Sequence, residues 1–391
     1  MIKNYLSMRG TLLLSALTVI IASCSTPEKK AEKEIDSFMK KSGTVGLSVA
    51  VVKDNKIIYT GAFGKSNIEN NIPLKSNDIF RIASISKSFT TTALLTLAER
   101  KLITLEQDVS DLIGFKVRNP SFPDVPITVK MLLSHSSSLN DSQGYFTLDV
   151  LNPGVNQDYA KCYNDYKPGT AYRYSNLGFN TIGAITEKFS GIRFDRFVKQ
   201  TVIEPLSLLA SYNVDDFAGN LFASLYAYDT TGFKISENAY LSRADEIESE
   251  NYIMGYSAPL FSPTGGIKIS APDLAHYMIM HMNYGSDPHS GIRILSEENS
   301  KLMQTPVIET SDKDYYCLGL NRSTAILPGE TMTGHTGSAY GLFSAMYFEP
   351  EKKFGIVVLS NGTTSEYGTY VDGFAPVQRD VVQILYDLYI K

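Results

Sequence analysis

The residues that most directly suggest chemistry are a serine and a lysine three positions apart, Ser84 and Lys87. If a helix begins near Ser84, side chains at i and i+3 lie on one face, and the lysine amine can reach the serine hydroxyl. Free N–H groups at a helix start favour negative charge nearby. The apolar residues that follow recur at steps of three and four, which predicts a buried far side for this helix: Phe89, Ala93, Leu94, Leu97 and Ala98. Ser84 is therefore a candidate nucleophile.

Ser-x-x-Lys alone is weak evidence, because a second copy begins at Ser37. Two later motifs distinguish the copy at Ser84. Tyr174-Ser175-Asn176 is the only Tyr-x-Asn in the chain and follows a Pro-Gly pair. His335-Thr336-Gly337 comes directly before strand-like residues. The Ser-x-x-Lys motif at Ser84 is thus followed by two further motifs that complete a recognisable set, and we do not assign a function to the copy at Ser37.

In this order, the three motifs resemble those of the penicillin-recognising serine hydrolases, namely class C β-lactamases, D-Ala-D-Ala carboxypeptidases and related esterases. The resemblance covers about residues 35–391 and extends to linking segments. Residues 132–139 are similar to the family's Leu-Leu-Thr-His-Thr-Ser-Gly-Leu, and Gly265-Gly266 to its Gly-Gly-Leu turn. We expect His135 in the first of these segments to be a structural residue at a helix end rather than a catalyst.

The resemblance implies an acyl-enzyme at Ser84, whose hydroxyl must lose its proton as it attacks a carbonyl carbon. Lys87 or Tyr174 must take that proton. Lys87 can do so only if burial or another cation lowers its pKa. Otherwise Lys87 stays charged and lowers the pKa of Tyr174, whose phenolate is then the base. The sequence does not determine which of the two residues takes the proton, so we assign this role to the pair.

The resemblance also implies an oxyanion hole and a set of substrate contacts. The oxyanion donors are the backbone N–H groups of Ser84 and Ser338, and the contact residues are Asn176, His335, Thr336 and Gly337. Asn176 is expected to bond the acyl-side amide, Gly337 to let substrate approach the strand, and Thr336 to hold a substrate carboxylate. His335 stands where β-lactamases of this branch carry lysine. Because histidine is only partly charged near pH 7, this favours a carboxypeptidase or esterase over antibiotic resistance.

Strand-like runs lie near both ends of the chain, at Val45–Val52 and Ile57–Phe63 and again at Gly341–Phe348 and Phe354–Leu359. Between them the pattern is mostly helical, and a helix closes the chain. We therefore predict an α/β fold of the α+β type, with an antiparallel sheet made by the N- and C-terminal segments and flanked by helices. A mostly helical lobe, about residues 84–262, is inserted into one hydrolase domain spanning 35–391.

The first residues have the features of an export signal. A basic start precedes the apolar run Thr11–Ile21, which ends in Ile21-Ala22-Ser23-Cys24. That ending resembles a bacterial lipobox, which implies that residues 1–23 are cleaved and that Cys24 is lipidated. A plain secretory signal is the alternative. Residues 24–34 are expected to be a solvated tether. We predict an exported, lipid-anchored protein of the bacterial cell envelope, at the periplasm or the cell surface.

Composition and motif content exclude several classes of function. The net charge is −5 and no long basic block occurs, which argues against a nucleic-acid partner. No Gly-x-Ser-x-Gly elbow, phosphate loop or zinc-ligand spacing occurs, so we expect no cofactor and no metal. After Cys24 only Cys162 and Cys317 remain, and they form either a disulfide or two buried free thiols.

We predict a monomeric serine hydrolase with a small-molecule or peptide substrate. D-Ala-type cell-wall peptides, or related amides and esters, are the leading substrates. A β-lactamase or small-molecule esterase of the same family is the alternative. The competing class is a non-catalytic binding or sensing lipoprotein.

Overall fold

The computed structural model describes residues 26–217, 221–311 and 314–391. The strands within these ranges are β1 (Gly46–Lys53), β2 (Lys56–Asn67), β3 (Ile72–Pro73), β4 (Phe80–Arg81), β5 (Ala210–Ser211), β6 (Tyr226–Asp229), β7 (Gly232–Ile235), β8 (Lys268–Ile269), β9 (Ile308–Ser311), β10 (Asp314–Tyr316), β11 (Asn321–Ser323), β12 (Met332–Ala339), β13 (Leu342–Glu349) and β14 (Phe354–Ser360). The α-helices are α1 (Pro27–Ser42), α2 (Ser86–Glu99), α3 (Val109–Ile113), α4 (Val129–Leu133), α5 (Asn176–Ser190), α6 (Phe194–Val198), α7 (Ala244–Glu248), α8 (Ala271–Met282), α9 (Glu297–Met303), α10 (Ser365–Gly368) and α11 (Pro376–Tyr389).

The main sheet joins the two ends of the chain. In the described residues it has nine strands in the order β3-β2-β1-β14-β13-β12-β11-β10-β9. The first long strand pairs antiparallel with the last one, so that Leu47 lies opposite Ser360. Helices cover the sheet. The predicted α/β class, with an antiparallel sheet built from both ends of the chain, is confirmed.

Alternate residues of the central strands enter two different cores. Val49 and Val51 of β1 pack with residues of α1 and α11. Ala50 and Val52 belong to the core that contains α8 and the helical segments. Because both faces are covered, β1 reads as a continuous apolar run rather than an alternating one.

Helix α1 begins within the segment that the sequence predicts to be a solvated tether. Residues 27–34, expected as part of a solvated tether, form its first two turns. The Thr26 hydroxyl accepts the Lys29 N–H as an N-cap, Pro27 occupies the first turn, and Ala31 and Ile35 are buried. The many Lys and Glu residues of this segment line the outer face of an amphipathic helix. Composition alone therefore gave the wrong answer here.

Helix α2 follows the candidate nucleophile and is buried on all sides, not only on its far side. Every residue from Ser86 to Leu97 is buried, including four threonines that bond within the core. Because hydrogen bonds satisfy these hydroxyl groups, threonines can occupy buried positions, and the helix is buried without a purely apolar face. The helix packs against α5, which carries the second motif.

A small sheet holds the segment just before Ser84. Its order is β4-β8-β5, and Arg81 of β4 lies opposite Lys268 of β8. In residues 26–217, 221–311 and 314–391, no helix has the length and apolarity needed to cross a membrane.

Candidate active site

Ser84 lies in a 3₁₀ turn, Ala83–Ile85, immediately before α2. Ala83 has a left-handed backbone with φ of 48°, which is uncommon for a residue with a side chain. The third motif packs against this turn. A β carbon added to Gly337 would lie 2.3 Å from the Ile82 carbonyl oxygen and 3.1 Å from the Ala83 β carbon. The expectation that Gly337 makes room for substrate is thus incomplete, because the space is already taken by the serine turn.

Lys87 is fully buried and directed at Ser84. Its Nζ lies 3.1 Å from the Ser84 hydroxyl, 3.0 Å from Asn176 Oδ1 and 2.9 Å from the Thr264 carbonyl oxygen. Burial lowers the pKa of Lys87 well below its usual value, which favours the neutral amine. A neutral amine has two hydrogens, and the two carbonyl oxygens take both. Its lone pair then points to the Ser84 hydroxyl.

Tyr174 lies next to this pair without accepting from the amine. Lys87 Nζ sits 4.6 Å from the centre of the Tyr174 ring, over its face. Burial raises the pKa of Tyr174 well above 10, and a hydrogen bond with Ser84 only partly opposes that shift. The phenol therefore stays protonated. Of the two bases left open by the sequence, this geometry favours Lys87.

Asn176 is held by a carboxylate that the sequence did not single out. Asp141 Oδ2 accepts the Asn176 backbone N–H and side-chain Nδ2, each at 2.9 Å. Its other oxygen accepts Ser175 Oγ and the Leu177 N–H, so Asp141 occupies the N-terminus of α5. Asn176 Oδ1 accepts from both Lys87 and Thr264. Only the second Nδ2 hydrogen remains for a substrate.

His335 is not the partly charged group that the sequence predicts. Its side chain is buried, and burial lowers its pKa to about 3. Its Nδ1 donates to the Thr336 carbonyl oxygen, so its Nε2 accepts from the Tyr316 hydroxyl at 2.9 Å. The imidazole is neutral near pH 7 and orients Tyr316.

His135 has the structural role expected for it. It follows α4, and its Nδ1 accepts the Ser175 N–H at 3.1 Å. Its carbonyl oxygen accepts the Arg173 N–H at 2.8 Å. Both neighbours of Tyr174 are thereby attached to one histidine. Burial, followed by Lys87 and His335, lowers the pKa of His135 well below 6.5, which keeps Nδ1 free to accept.

An open cavity of about 370 Å³ brings the predicted residues together. Its lining contains every predicted site residue outside the N-terminus except Lys87, which lies behind Ser84; the lining residues are Ser84, Tyr172, Tyr174, Asn176, Tyr316, Asn321, His335, Thr336, Gly337, Ser338, Tyr370 and Gly373. The two residues predicted to supply oxyanion donors, Ser84 and Ser338, are on its wall. No lysine or arginine belongs to this lining within the described parts of the chain.

Several site residues had no sequence signal. Asp141 lies 35 positions before Asn176, Thr264 only precedes the Gly265-Gly266 pair, and Tyr172, Tyr316 and Tyr370 belong to none of the three motifs. Only the short Tyr-x-Tyr spacing of Tyr172 and Tyr174 could have suggested one of them. By contrast, Ser37 of the second Ser-x-x-Lys is exposed on α1.

The remaining sequence predictions concern cysteines, metals and the N-terminus. Cys162 and Cys317 are both buried and free, which corresponds to the second of the two alternatives. In the ranges that the structure covers, no three His, Cys, Asp or Glu side chains converge as a metal site. Cys24, and the predicted signal peptide with it, lies outside the described residues.

Comparisons with known proteins agree with the motifs. The family model described as Beta-lactamase matches residues 31–375. Protein flp of Staphylococcus aureus (strain N315) is 22% identical over 87% of this chain and 64% of its own length. Penicillin-binding protein 4* of Bacillus subtilis (strain 168) is 29% identical over 53% of this chain and 46% of its own length. The chain thus spans less than two thirds of these curated relatives.

Solved structures show the same fold. The octameric penicillin-binding protein homologue from Pyrococcus abyssi superimposes with a TM-score of 0.73 at 25% identity, covering 92% of this chain and 77% of that one. The D-amino acid amidase from Ochrobactrum anthropi SV3, complexed with L-phenylalanine, superimposes with a TM-score of 0.71 at 17% identity, covering 93% of this chain and 98% of that one. The family match over most of the chain, together with the three motifs around one cavity, shows that this protein belongs to the β-lactamase family.

Proposed function

We propose that the protein is a serine hydrolase that forms an acyl-enzyme at Ser84. The observation that carries this proposal is the Lys87 amine, with two carbonyl acceptors and the Ser84 hydroxyl around it. A binding protein has no use for a buried amine whose lone pair faces a serine, since burying it costs free energy without a chemical return. The non-catalytic alternative is therefore disfavoured.

The proposed reaction uses groups that line the cavity, together with Lys87, which lies behind Ser84. Ser84 Oγ attacks the substrate carbonyl carbon as its proton moves to Lys87 Nζ. Donors on Ser84 and Ser338 stabilise the oxyanion of the tetrahedral intermediate. Tyr174, kept protonated by burial, donates to the departing nitrogen or oxygen, and the Lys87 ammonium over its ring stabilises the phenolate until the attacking water returns a proton to it. Water then cleaves the ester by the reverse sequence.

The leaving-group side of the cavity favours substrates with an uncharged leaving group. Thr336 was expected to hold a carboxylate beside a partly charged His335, but His335 is neutral with a pKa of about 3. A substrate carboxylate would meet hydroxyl groups such as those of Thr336 and Tyr370 without a lysine or arginine from the described lining. We therefore place amides and esters with neutral leaving groups ahead of peptides ending in D-Ala. The likeness to a D-amino acid amidase is compatible with this order.

A labelling experiment on the full chain tests the proposal. A fluorophosphonate should add covalently to the wild type and to Ser37→Ala, the matched change in the exposed second motif, but not to Ser84→Ala. Hydrolysis of p-nitrophenyl acetate and D-alaninamide should exceed that of a peptide ending in D-Ala-D-Ala. Absence of any adduct in folded wild-type protein would favour the binding-protein alternative. Release of terminal D-Ala that is faster than hydrolysis of the ester and the amide would instead make D-Ala peptides the leading substrates again.

We also propose export and a lipid anchor at Cys24, supported by the lipobox-like sequence that ends at this residue. The proposed partners are the membrane, through that anchor, and the substrate. A monomer remains a prediction.

A further inference from the structure

A second cavity, of about 300 Å³, lies beside the first and contains three cationic side chains: Arg81, Arg243 and Lys268. Arg81 is three residues before Ser84, and Tyr340 in the same cavity is two residues after Ser338. At a maximum of about 3.5 Å per residue, the Arg81 Cα lies within roughly 10 Å of the Ser84 Cα. Two chain segments thus contribute to the walls of both cavities, which are neighbours along the chain.

Two of these cations face each other across a strand pair. Arg81 of β4 lies directly opposite Lys268 of β8, an arrangement that is destabilising for like charges. The head groups bond only to backbone oxygens: Lys268 to Tyr212, and Arg81 to Gly265 and Ala239. Within residues 26–217, 221–311 and 314–391, neither forms a salt bridge with a carboxylate, whereas Arg243 pairs with Glu246. Neither head group therefore has a counterion within the described residues.

In the part of the chain that the structure describes, the environment of Lys268 lacks an anion that would stabilise its charged form. This side chain is only 6% exposed. Burial and then Arg81 lower its pKa well below 10.5, and Asp215 and Asp195 only partly oppose them. A carboxylate entering the cavity would raise that pKa again and hold the lysine in its charged form. The rest of the lining includes Phe146, Leu260 and Tyr340, which offer apolar contact to a methylene chain.

We propose that this cavity binds a carboxylate carried by the acyl part of the substrate, so that the enzyme prefers acyl groups ending in an acid. This rests on the proposed function. We assign the cavity to the acyl side from the direction of the chain along β12. Thr336, on the expected leaving-group side, and Tyr340, just after the strand, lie on opposite sides of Ser338 along the chain. The cationic cavity is at the Tyr340 end.

The test compares two esters of equal acyl length on the full chain: the mono-p-nitrophenyl ester of adipic acid and p-nitrophenyl hexanoate. The ratio of their kcat/KM values should favour the acidic ester in the wild type. It should fall about tenfold or more in Lys268→Met, because a buried charge-assisted hydrogen bond is lost, and fall less in Arg243→Gln, because Arg243 is exposed and already pairs with Glu246. Lys234→Gln, an exposed charge on the β6–β7 hairpin, should leave the ratio unchanged. Arg81 is left intact because it also holds two backbone carbonyls.

The outcomes separate this inference from the proposed function. A ratio that is the same in the wild type and in folded Lys268→Met overturns the inference even if hexanoate is cleaved. If neither ester is cleaved and the fluorophosphonate does not label Ser84, the proposed function fails. Binding is then measured without catalysis, as the change in Tm caused by adipate. A rise that Lys268→Met abolishes supports the anion cavity, and no rise contradicts it.

Discussion

The backbone of Gly337 lies so close to Ile82 that a β carbon would be 2.3 Å from the Ile82 carbonyl oxygen. Two of the three motifs are therefore in direct contact, and the position of the strand determines the position of the serine turn.

We expect Gly337→Ala to displace this turn and to lower kcat about 100-fold or more, since small misplacements of reacting groups are costly. The free energy of unfolding should also fall by about 1–3 kcal/mol through overpacking. Gly178→Ala in helix α5 is the control, because the nearest atom to its added β carbon belongs to Leu132 and is 3.6 Å away. That change should be neutral or slightly stabilising. Full activity in Gly337→Ala would contradict the contact.

The two candidate bases can be distinguished by pH–rate profiles. Burial lowers the pKa of Lys87, so kcat/KM should rise with pH through a value well below 10.5 as the amine loses its proton. Lys87→Arg should abolish this limb and lower kcat by about 10³ or more, because arginine does not deprotonate. Tyr174→Phe should lower kcat yet keep the limb. If Tyr174→Phe removes the limb instead, the phenolate is the base.

His135 should act on catalysis through its acceptor atom. In His135→Phe the buried Ser175 N–H loses its acceptor. Leaving this donor unsatisfied should lower the free energy of unfolding by about 1–3 kcal/mol, and kcat should fall about tenfold or more. His135→Asn restores an acceptor oxygen and should recover most of that loss. Equal kcat values for the two folded variants, compared by circular dichroism, would show that the ring matters only for packing.

Acid should destabilise the protein through buried histidines. Burial lowers the pKa of His281 to about 3, so the unfolded chain binds a proton between about pH 6.5 and 3 while the folded chain does not. Stability therefore falls as the pH drops through this window. His281→Leu should flatten the slope of unfolding free energy by up to about 1.4 kcal/mol per pH unit. The exposed His276, changed to Gln, serves as the control in urea titrations. An unchanged slope in His281→Leu would contradict the neutral buried state.

Lipidation can be tested at one atom. Cells expressing the full chain and supplied with labelled palmitate should incorporate the label in the wild type but not in Cys24→Ala, since only the Cys24 thiol is expected to carry the lipid. Cys162→Ala, at a buried free thiol, is the matched control and should still be labelled. Label in Cys24→Ala would locate the lipid elsewhere, and none in the wild type would favour a plain secretory signal.

The sequence predicted the parts of the site that lie within short motifs. Ser84 and Lys87 are one turn apart, and Tyr174 and Asn176 flank a helix cap, so local spacing alone brings each pair together. The positions of β1 and β14 were also predictable, because the apolar runs at Val45–Val52 and Phe354–Leu359 match these strands to within one residue.

What sequence could not give are contacts between distant segments. Asp141 reaches Asn176 from another loop, and the charge of His335 depends on burial and on Tyr316. No single-sequence pattern encodes either of them. The start of α1 was missed because a charged outer face looks like a tether when only two apolar positions mark the inner one.

The seam between β1 and β14 has a consequence for synthesis. On the ribosome, β1 emerges roughly 300 residues before its partner, which at about 5–20 residues per second is on the order of 15 to 60 s. During that interval one edge of an apolar strand has no neighbour, a state prone to aggregation. A nascent chain of this topology therefore depends on being shielded until its last strand arrives.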